Sequence, residues 1–243
     1  MLARAGVSSR RAAEKLIAEG KVLVNGQTVA PGTKVVVGVD RVTLEGRVLE
    51  LAAPALVTYA LHKPRLVVTT LSDPQGRKTV ASFLSALEVR VFPVGRLDYD
   101  AEGLILLTND GDLAYRLTHP SFAVSRTYAV TVAGTVAEAT VARLRAGVEL
   151  IDGFARTQRV EVRTRSEAQT ELEIVVAEGR NHLIKKLCEA VGHEVVRLRR
   201  IEYGGVRLGD LAPGQLRRLS PAEAKRLADA AAAGEAARGD PSP

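Results

Sequence analysis

Apolar positions in this chain fall mostly in short runs bounded by Gly, Pro, Asn and Asp, the pattern of strands joined by tight turns. The start is different. Ala12, Ala13, Leu16 and Ile17 recur at helical spacing, Ser8 or Ser9 can cap that helix, and Gly20 stops it. Val22-Leu23-Val24, Asn25-Gly26 and Gln27-Thr28-Val29 then predict a hairpin, because Asn-Gly accepts the positive φ angles of a type I′ turn. Further β signals lie at 34–37, 42–44 and 48–51, and Ala52-Ala53-Pro54-Ala55 reads as a linker.

A longer unit follows. Residues 57–63 predict a strand stopped by Pro64, and the Asp73-Pro74 turn leads to a short helix near 80–87. Two apolar runs, 91–94 and 104–107, are short enough for buried strands, and the acidic stretch between them is a loop pinned at both ends. Beyond it come a helix near 113–117, a strand at 126–132, and a capping box, Thr135 with Glu138, for a helix through Arg145. Strands near 156–163 and 170–176 precede Asn181, which can cap a helix carrying Ile184, Leu187, Cys188 and Val191 on one face. The strand expected at 194–201 holds Arg197, Arg199 and Arg200. Ser220-Pro221-Ala222-Glu223 is a second capping box, for a last helix to about Ala232. Strands with interspersed helices predict an α+β fold on a mixed sheet.

Composition adds bounds. With 243 residues, 46% hydrophobic and 26% charged, the chain has the make-up of a soluble globular protein of more than one unit. No apolar window reaches a membrane span and the N-terminus lacks a signal-peptide core, so cytoplasm is the expectation and no membrane partner is. The single Cys188 excludes an internal disulfide and a cysteine metal site. A net charge of +6 favours polyanions, nucleic acid first. Aromatic residues are only 4% and Trp is absent, which points to backbone contacts with one local stacking site. Arg10, Arg11 and Lys15 stand near the start of the first helix, where a phosphate could meet side chains and free N–H groups; a solvated helix face fits them equally well.

Chemistry has few places to live. Gly-rich phosphate loops and Gly-x-Ser-x-Gly are absent, and the four histidines show no ligand spacing, so neither metal nor cofactor is expected. What stands out is the acidic loop, with Asp98, Asp100 and Glu102 around Arg96 and with Asp110 and Asp112 beyond. A carboxylate held between apolar strands is poorly solvated, and a nearby cation would keep it ionised. Arg180, Lys185, Lys186, Arg197, Arg199 and Arg200 supply cations far away in sequence. An ionised carboxylate in a dry pocket can attack carbon. A glycosidase would need a second carboxylate, for which Asp100 and Glu102 qualify by type, so hydrolysis stays open, as does a simple solvated turn.

Two resemblances narrow this. Leu2-Ala3-Arg4-Ala5-Gly6-Val7-Ser8-Ser9-Arg10-Arg11-Ala12-Ala13-Glu14, then residues 17–20 and 22–26, resemble the small S-four RNA-binding domain over about the first 45 residues. Members usually carry a few more residues before the first Leu, so the first helix looks clipped and the true start stays open. Gly95-Arg96-Leu97-Asp98-Tyr99-Asp100-x-Glu102-Gly103-Leu104-x-Leu106-Leu107-Thr108-Asn109-Asp110-Gly111 resembles the catalytic motif of pseudouridine synthases acting on ribosomal RNA, in the branch of small subunit synthase A and large subunit synthases B, E and F. Arg126-Thr127-Tyr128 is similar to that branch's basic-x-Tyr motif. Glu178-Gly179-Arg180-Asn181-His182-x-Ile184-Lys185-Lys186, with Arg197-Leu198 further on, is similar to its last motif.

The resemblance implies an isomerase working without cofactor or metal. Asp98 would be the nucleophile toward a flipped uridine, Tyr128 would stack on its uracil, and Lys185 would pair with Asp98. Arg96 would fill the gap or hold the extruded backbone, and Arg180, Arg197, Arg10, Arg11 and Lys15 would contact RNA. Because uracil is retained, no second carboxylate is needed. Residues 72–80 are most similar to the large subunit synthase B group, which implies 23S rather than 16S rRNA as partner, with the protein a monomer. The implied organisation is a small α/β RNA-binding domain at 1–50, a linker at 51–55, and a catalytic domain at 56–220 with a mixed, mostly antiparallel sheet flanked by helices. A C-terminal helix at 221–233 and a disordered tail at 234–243 complete it. Two departures stand out: Ala101 replaces the usual Thr or Ser, and Leu183 the usual Gln. The competing reading is a ribosome-assembly RNA-binding factor without catalysis, against which intact Asp98, Tyr128 and Lys185 speak.

Overall fold

The computed structural model describes residue 2 and residues 7–49 and 55–236. Most of the expected linker and the last seven residues of the expected tail lie outside them. The chain forms two compact units, a smaller one built mainly from residues up to Val57 and a larger one from most of the rest.

In the smaller unit α1 (Arg10–Ala18) begins where Ser9 accepts a hydrogen bond from the Ala12 N–H. β1 (Val22–Val24) and β2 (Gln27–Thr28) form the expected hairpin, with Asn25 and Gly26 at positive φ. β3 (Val42–Leu44) and β4 (Arg47–Val48) complete a four-stranded sheet in the order β2-β1-β3-β4. The strand expected at 34–37 is absent: the Asp40 carboxylate accepts from the Val36 N–H and holds this stretch as a turn. Arg10, Arg11 and Lys15 lie exposed on α1.

The larger unit is organised on a nine-stranded sheet. Its strands are β5 (Thr58–Lys63), β6 (Phe92–Val94), β7 (Glu102–Thr108), β8 (Arg126–Ala133), β11 (Arg159–Arg165), β12 (Gln169–Val176), β13 (Val195–Tyr203), β14 (Val206–Arg207) and β15 (Leu216–Arg218). β9 (Val148–Leu150) and β10 (Gly153–Ala155) make a separate hairpin that no sequence signal predicted. The main order is β11-β12-β8-β13-β7-β5-β15, with β14 on β13 and β6 on β7. Only the β13–β7 pair is parallel, so the sheet is mixed and mostly antiparallel. Every residue of β7 is buried, which is why its centre, residues 104–107, is an apolar run without alternation.

Gly103 makes the parallel pair possible. Its φ is 107°, and a Cβ there would sit 2.3 Å from the Arg200 carbonyl oxygen, so only glycine lets β13 come this close. The register then sets Arg199 beside Glu102 and Arg200 beside Gly103.

Helices α2 (Gly111–Thr118), α3 (Glu138–Ala146), α4 (Leu183–Ala190) and α5 (Pro221–Ala236) flank the sheet. Two expected caps are not made. Thr135 donates to the Ser166 carbonyl and Glu138 pairs with Arg165 and Arg145, so α3 starts at Ala137 without a side-chain cap. α4 is entered through His182 in the left-handed region, and Asn181 does not cap it. The Ser220–Glu223 box forms in full, each residue's side chain accepting from the other's N–H. α5 runs past the expected end: Gly234 is helical and packs so tightly against Phe122 that a Cβ would meet its carbonyl at 2.0 Å. The small residue is there for contact, which composition alone reads as disorder.

Candidate active site

β6 and β7 pin the acidic loop at both ends, as their apolar runs require, and the loop closes with the Ala101 N–H donating to the Asp98 carbonyl. Ala101 itself is buried. A cavity of about 320 Å³ opens beside the loop, with Asp98, Arg126, Tyr128, Leu183, Leu198 and Arg200 in its wall. Leu183, the second departure, is therefore an apolar wall residue.

Asp98 is half-buried. Its Oδ2 lies 3.7 Å from Lys185 Nζ and its Oδ1 3.4 Å from His182 Nε2. The short bonds of Lys185 go elsewhere: Nζ donates to both oxygens of Asp100 at 2.6 and 2.7 Å. That hydrogen bond, more than any other influence, holds the Asp100 carboxyl below its ordinary range. The expected Lys185–Asp98 ion pair is present at 3.7 Å, and Lys185 is in addition hydrogen-bonded to Asp100. Asp98 keeps uncommitted lone pairs within the field of a cation, which suits a nucleophile better than a carboxylate locked in a short ion pair would.

Tyr128 is half-buried on β8, one strand from β13. Its neighbour in the motif, Arg126, is buried and turned inward. Arg126 donates to the carbonyls of Leu117 (2.9 Å), Val124 (3.1 Å) and Ala177 (3.4 Å), and its guanidinium stacks on Tyr203 at 4.7 Å. It therefore satisfies the end of α2 and fixes β8 beneath the cavity.

Two residues whose roles the sequence does not announce sit under the loop. Arg200 is 2% exposed, donates to Leu104 (2.8 Å) and Arg96 (3.5 Å) carbonyls on either side of Asp98, and stacks on Tyr203. Lys63 is fully buried and donates to the carbonyls of Pro64 and Val67. Burial pulls its ammonium down to about 8, against the opposing pull of Asp98 and Asp100. The only signal for Lys63 was its place before the strand-ending Pro64. For Arg200 it was position in an Arg-rich strand. Cys188, by contrast, is buried in α4, and desolvation pushes its thiol up to about 12, which leaves it inert.

The comparisons with known proteins agree with this geometry. A family model described as RNA pseudouridylate synthase matches residues 57–190, and an S4 domain model matches residues 1–40. The chain belongs to the RNA pseudouridine synthase family. It is 44% identical over 229 residues to an RNA pseudouridine synthase of Aquifex aeolicus, covering 93% of this chain and 91% of that one. It is 39% identical over 229 residues to ribosomal large subunit pseudouridine synthase B of Bacillus subtilis, covering 93% of each. A solved pseudouridylate synthase superposes with a TM-score of 0.65 at 29% identity, covering 93% of this chain and 96% of that one. The protein is thus an isomerase acting on RNA.

Within this pseudouridine synthase the remaining candidates are placed as follows. Arg96 is exposed at the cavity mouth, its guanidinium without a partner among the described residues. Arg180 spends its donors on the protein: on Glu178 at 2.7 Å and on the Asp152, Gly153 and Phe154 carbonyls of the β9–β10 hairpin at 2.8 to 3.1 Å. It works as a tether for that hairpin while also lining the Asp98 cavity. Arg197 donates to Glu102 at 2.5 Å and is outside the Asp98 cavity. Among the described residues no helix is long and apolar enough to cross a membrane.

Proposed function

We propose that the protein converts one uridine of ribosomal RNA, in the 23S molecule, to pseudouridine, with Asp98 as nucleophile. The observation that carries the proposal is the half-buried Asp98 carboxylate in a cavity sized for one nucleoside, bordered by Tyr128 and near the Lys185 ammonium, while the other carboxylate of the wall, Glu178, is bonded to Arg180. A target inside structured RNA must be flipped out, at a cost of a few kcal/mol that the pocket and phosphate contacts offset. Asp98 then attacks the anomeric carbon as that carbon's bond to uracil N1 breaks, and the Asp98 bond breaks in turn when carbon 5 of the rotated uracil takes its place. The bond re-forms at carbon 5, N1 gains a proton, and the hydrogen of carbon 5 leaves as one. Tyr128 stacks on the uracil, Lys185 pairs with Asp98 and orients it, and Arg96 occupies the gap or holds the displaced backbone.

The choice of 23S rests on the relative from Bacillus subtilis named for the large subunit and on the motif at residues 72–80. Pseudouridine mapping in a strain without the gene should show one site missing from 23S rRNA. A site missing only from 16S rRNA would overturn that choice, and an unchanged map with no tritium released from uridine labelled at carbon 5 would favour the assembly-factor reading.

The N-terminal unit is expected to supply electrostatic affinity through Arg10, Arg11 and Lys15. Deleting residues 1–50 should weaken rRNA binding and flatten its dependence on salt, by about one unit of slope for each phosphate that is no longer neutralised. Binding isotherms at several salt concentrations check this; superimposable curves would make α1 a merely solvated face.

A further inference from the structure

The cavity at Asp98 has a larger neighbour. A second cavity, of about 750 Å³, shares Arg96, Leu97, Asp98 and His182 with the first. Nothing in the reaction of a single uridine uses it. Yet its wall combines three features that together describe a binding site for one kind of ligand.

The first is Tyr99, next to the nucleophile in sequence, 45% exposed and lining the second cavity. No aromatic ring or cation stacks on it among the described residues. An exposed ring on the wall of a polar cavity is a platform for a flat partner. The second is Arg77, whose Nε and Nη2 are locked onto Asp73 at 3.0 and 2.8 Å, which fixes the guanidinium plane and leaves Nη1 free to donate. The third is Arg96, unpaired and common to both cavities. The acids of this cavity leave Arg96 unpaired. Asp73 is paired with Arg77, and Asp100 and Asp98 both lie within ion-pair distance of Lys185.

A flat platform, a fixed donor and a free cation fit a base, its edge and its phosphate. The shared Arg96-Leu97-Asp98 segment puts a ligand in the second cavity within one link of a polynucleotide from a uridine in the first. We infer that the second cavity takes the nucleotide bonded to the target uridine, its base stacked on Tyr99 and the linking phosphate drawn to Arg96. On this inference, which rests on the function proposed above, the enzyme extrudes two consecutive nucleotides and reads the neighbour as well as the target.

The test uses the full-length wild type, Tyr99→Ala and Tyr99→Phe. Each is assayed on the rRNA fragment that the wild type modifies and on two versions of it, abasic at the 5′ or at the 3′ neighbour of the target. Tyr99→Ala should drop about tenfold in kcat/KM on the intact RNA, the worth of one stacked base. Tyr99→Phe, which keeps the ring, should retain wild-type turnover. One of the abasic RNAs should erase the difference between wild type and Tyr99→Ala. If the defects multiply on both abasic RNAs, or Tyr99→Ala matches the wild type on the intact one, the subsite is overturned while the isomerase reading stands. If the wild type forms no pseudouridine in any rRNA, both fall.

Discussion

Replacing Asp98 by Asn is expected to lower pseudouridine formation by about 10⁴-fold or more, the scale on which an enzyme loses its nucleophile. The substitution keeps size and removes only the charge. Asp98 makes no short ion pair, the nearest nitrogens of His182 and Lys185 being at 3.4 and 3.7 Å, so the variant should fold and bind RNA as the wild type does. Tritium release from RNA labelled at carbon 5 of uridine, beside a binding isotherm, separates the two effects. Equal release by wild type and variant would sink the assignment. Asp100→Asn serves as the contrast: it removes the charge that holds Lys185 and leaves Asp98 itself, with the ammonium beside it, in place. Its activity should therefore fall far less than that of Asp98→Asn.

The second large effect is on stability, through Lys63. Its ammonium is fully buried and titrates near 8, against 10.5 for an unconstrained lysine. Between those pH values the unfolded chain holds a proton that the folded chain does not, so stability rises with pH across this window. Below pH 8 both states are charged and the contribution is constant at its lowest. The gap, 10.5 − 8 ≈ 2.5 units, corresponds to at most roughly 3 kcal/mol. Lys63→Met removes the titration. The unfolding free energy of the wild type relative to the variant should therefore climb by that amount from pH 8 to 10.5, with a limiting slope of one proton. Denaturant unfolding of both proteins at a series of pH values measures it, and parallel curves would show that Lys63 keeps its ordinary proton affinity in the fold.

These two residues mark how far the chain could be read in advance. Asp98 was legible because its loop is defined by local features: two apolar runs, glycines at the turns and a motif written without gaps. Lys63 and Arg200 were not, because a basic residue in a strand gives no sign of whether its side chain is solvated or buried. The misread caps have the same origin. Thr135 and Glu138 have the right spacing for a box, but Ser166, Arg165 and Arg145 compete for their side chains. Ser220 and Glu223 also have an outside competitor, as Arg217 pairs with Glu223, yet that contact leaves the box intact. The bonds of Arg180 to the β9–β10 hairpin were not legible either, because that hairpin was itself unforeseen.

By itself the sequence determined the hairpin at Asn25-Gly26, the buried strand β7, the loop carrying Asp98 and the family of enzymes to which the chain belongs. Turn chemistry, hydrophobic runs and ordered motifs act over a few residues, so they survive without knowledge of the rest. The tertiary structure alone decided that Lys185 is also bonded to Asp100, that Arg126 and Arg180 are bonded within the protein, and that Arg200 and Lys63 lie under the loop. Those outcomes hang on the parallel register of β13 on β7 that Gly103 permits, and on separations near 1 Å between competing partners. Electrostatic and hydrogen-bond energies change steeply over such distances, and sequence spacing does not encode them.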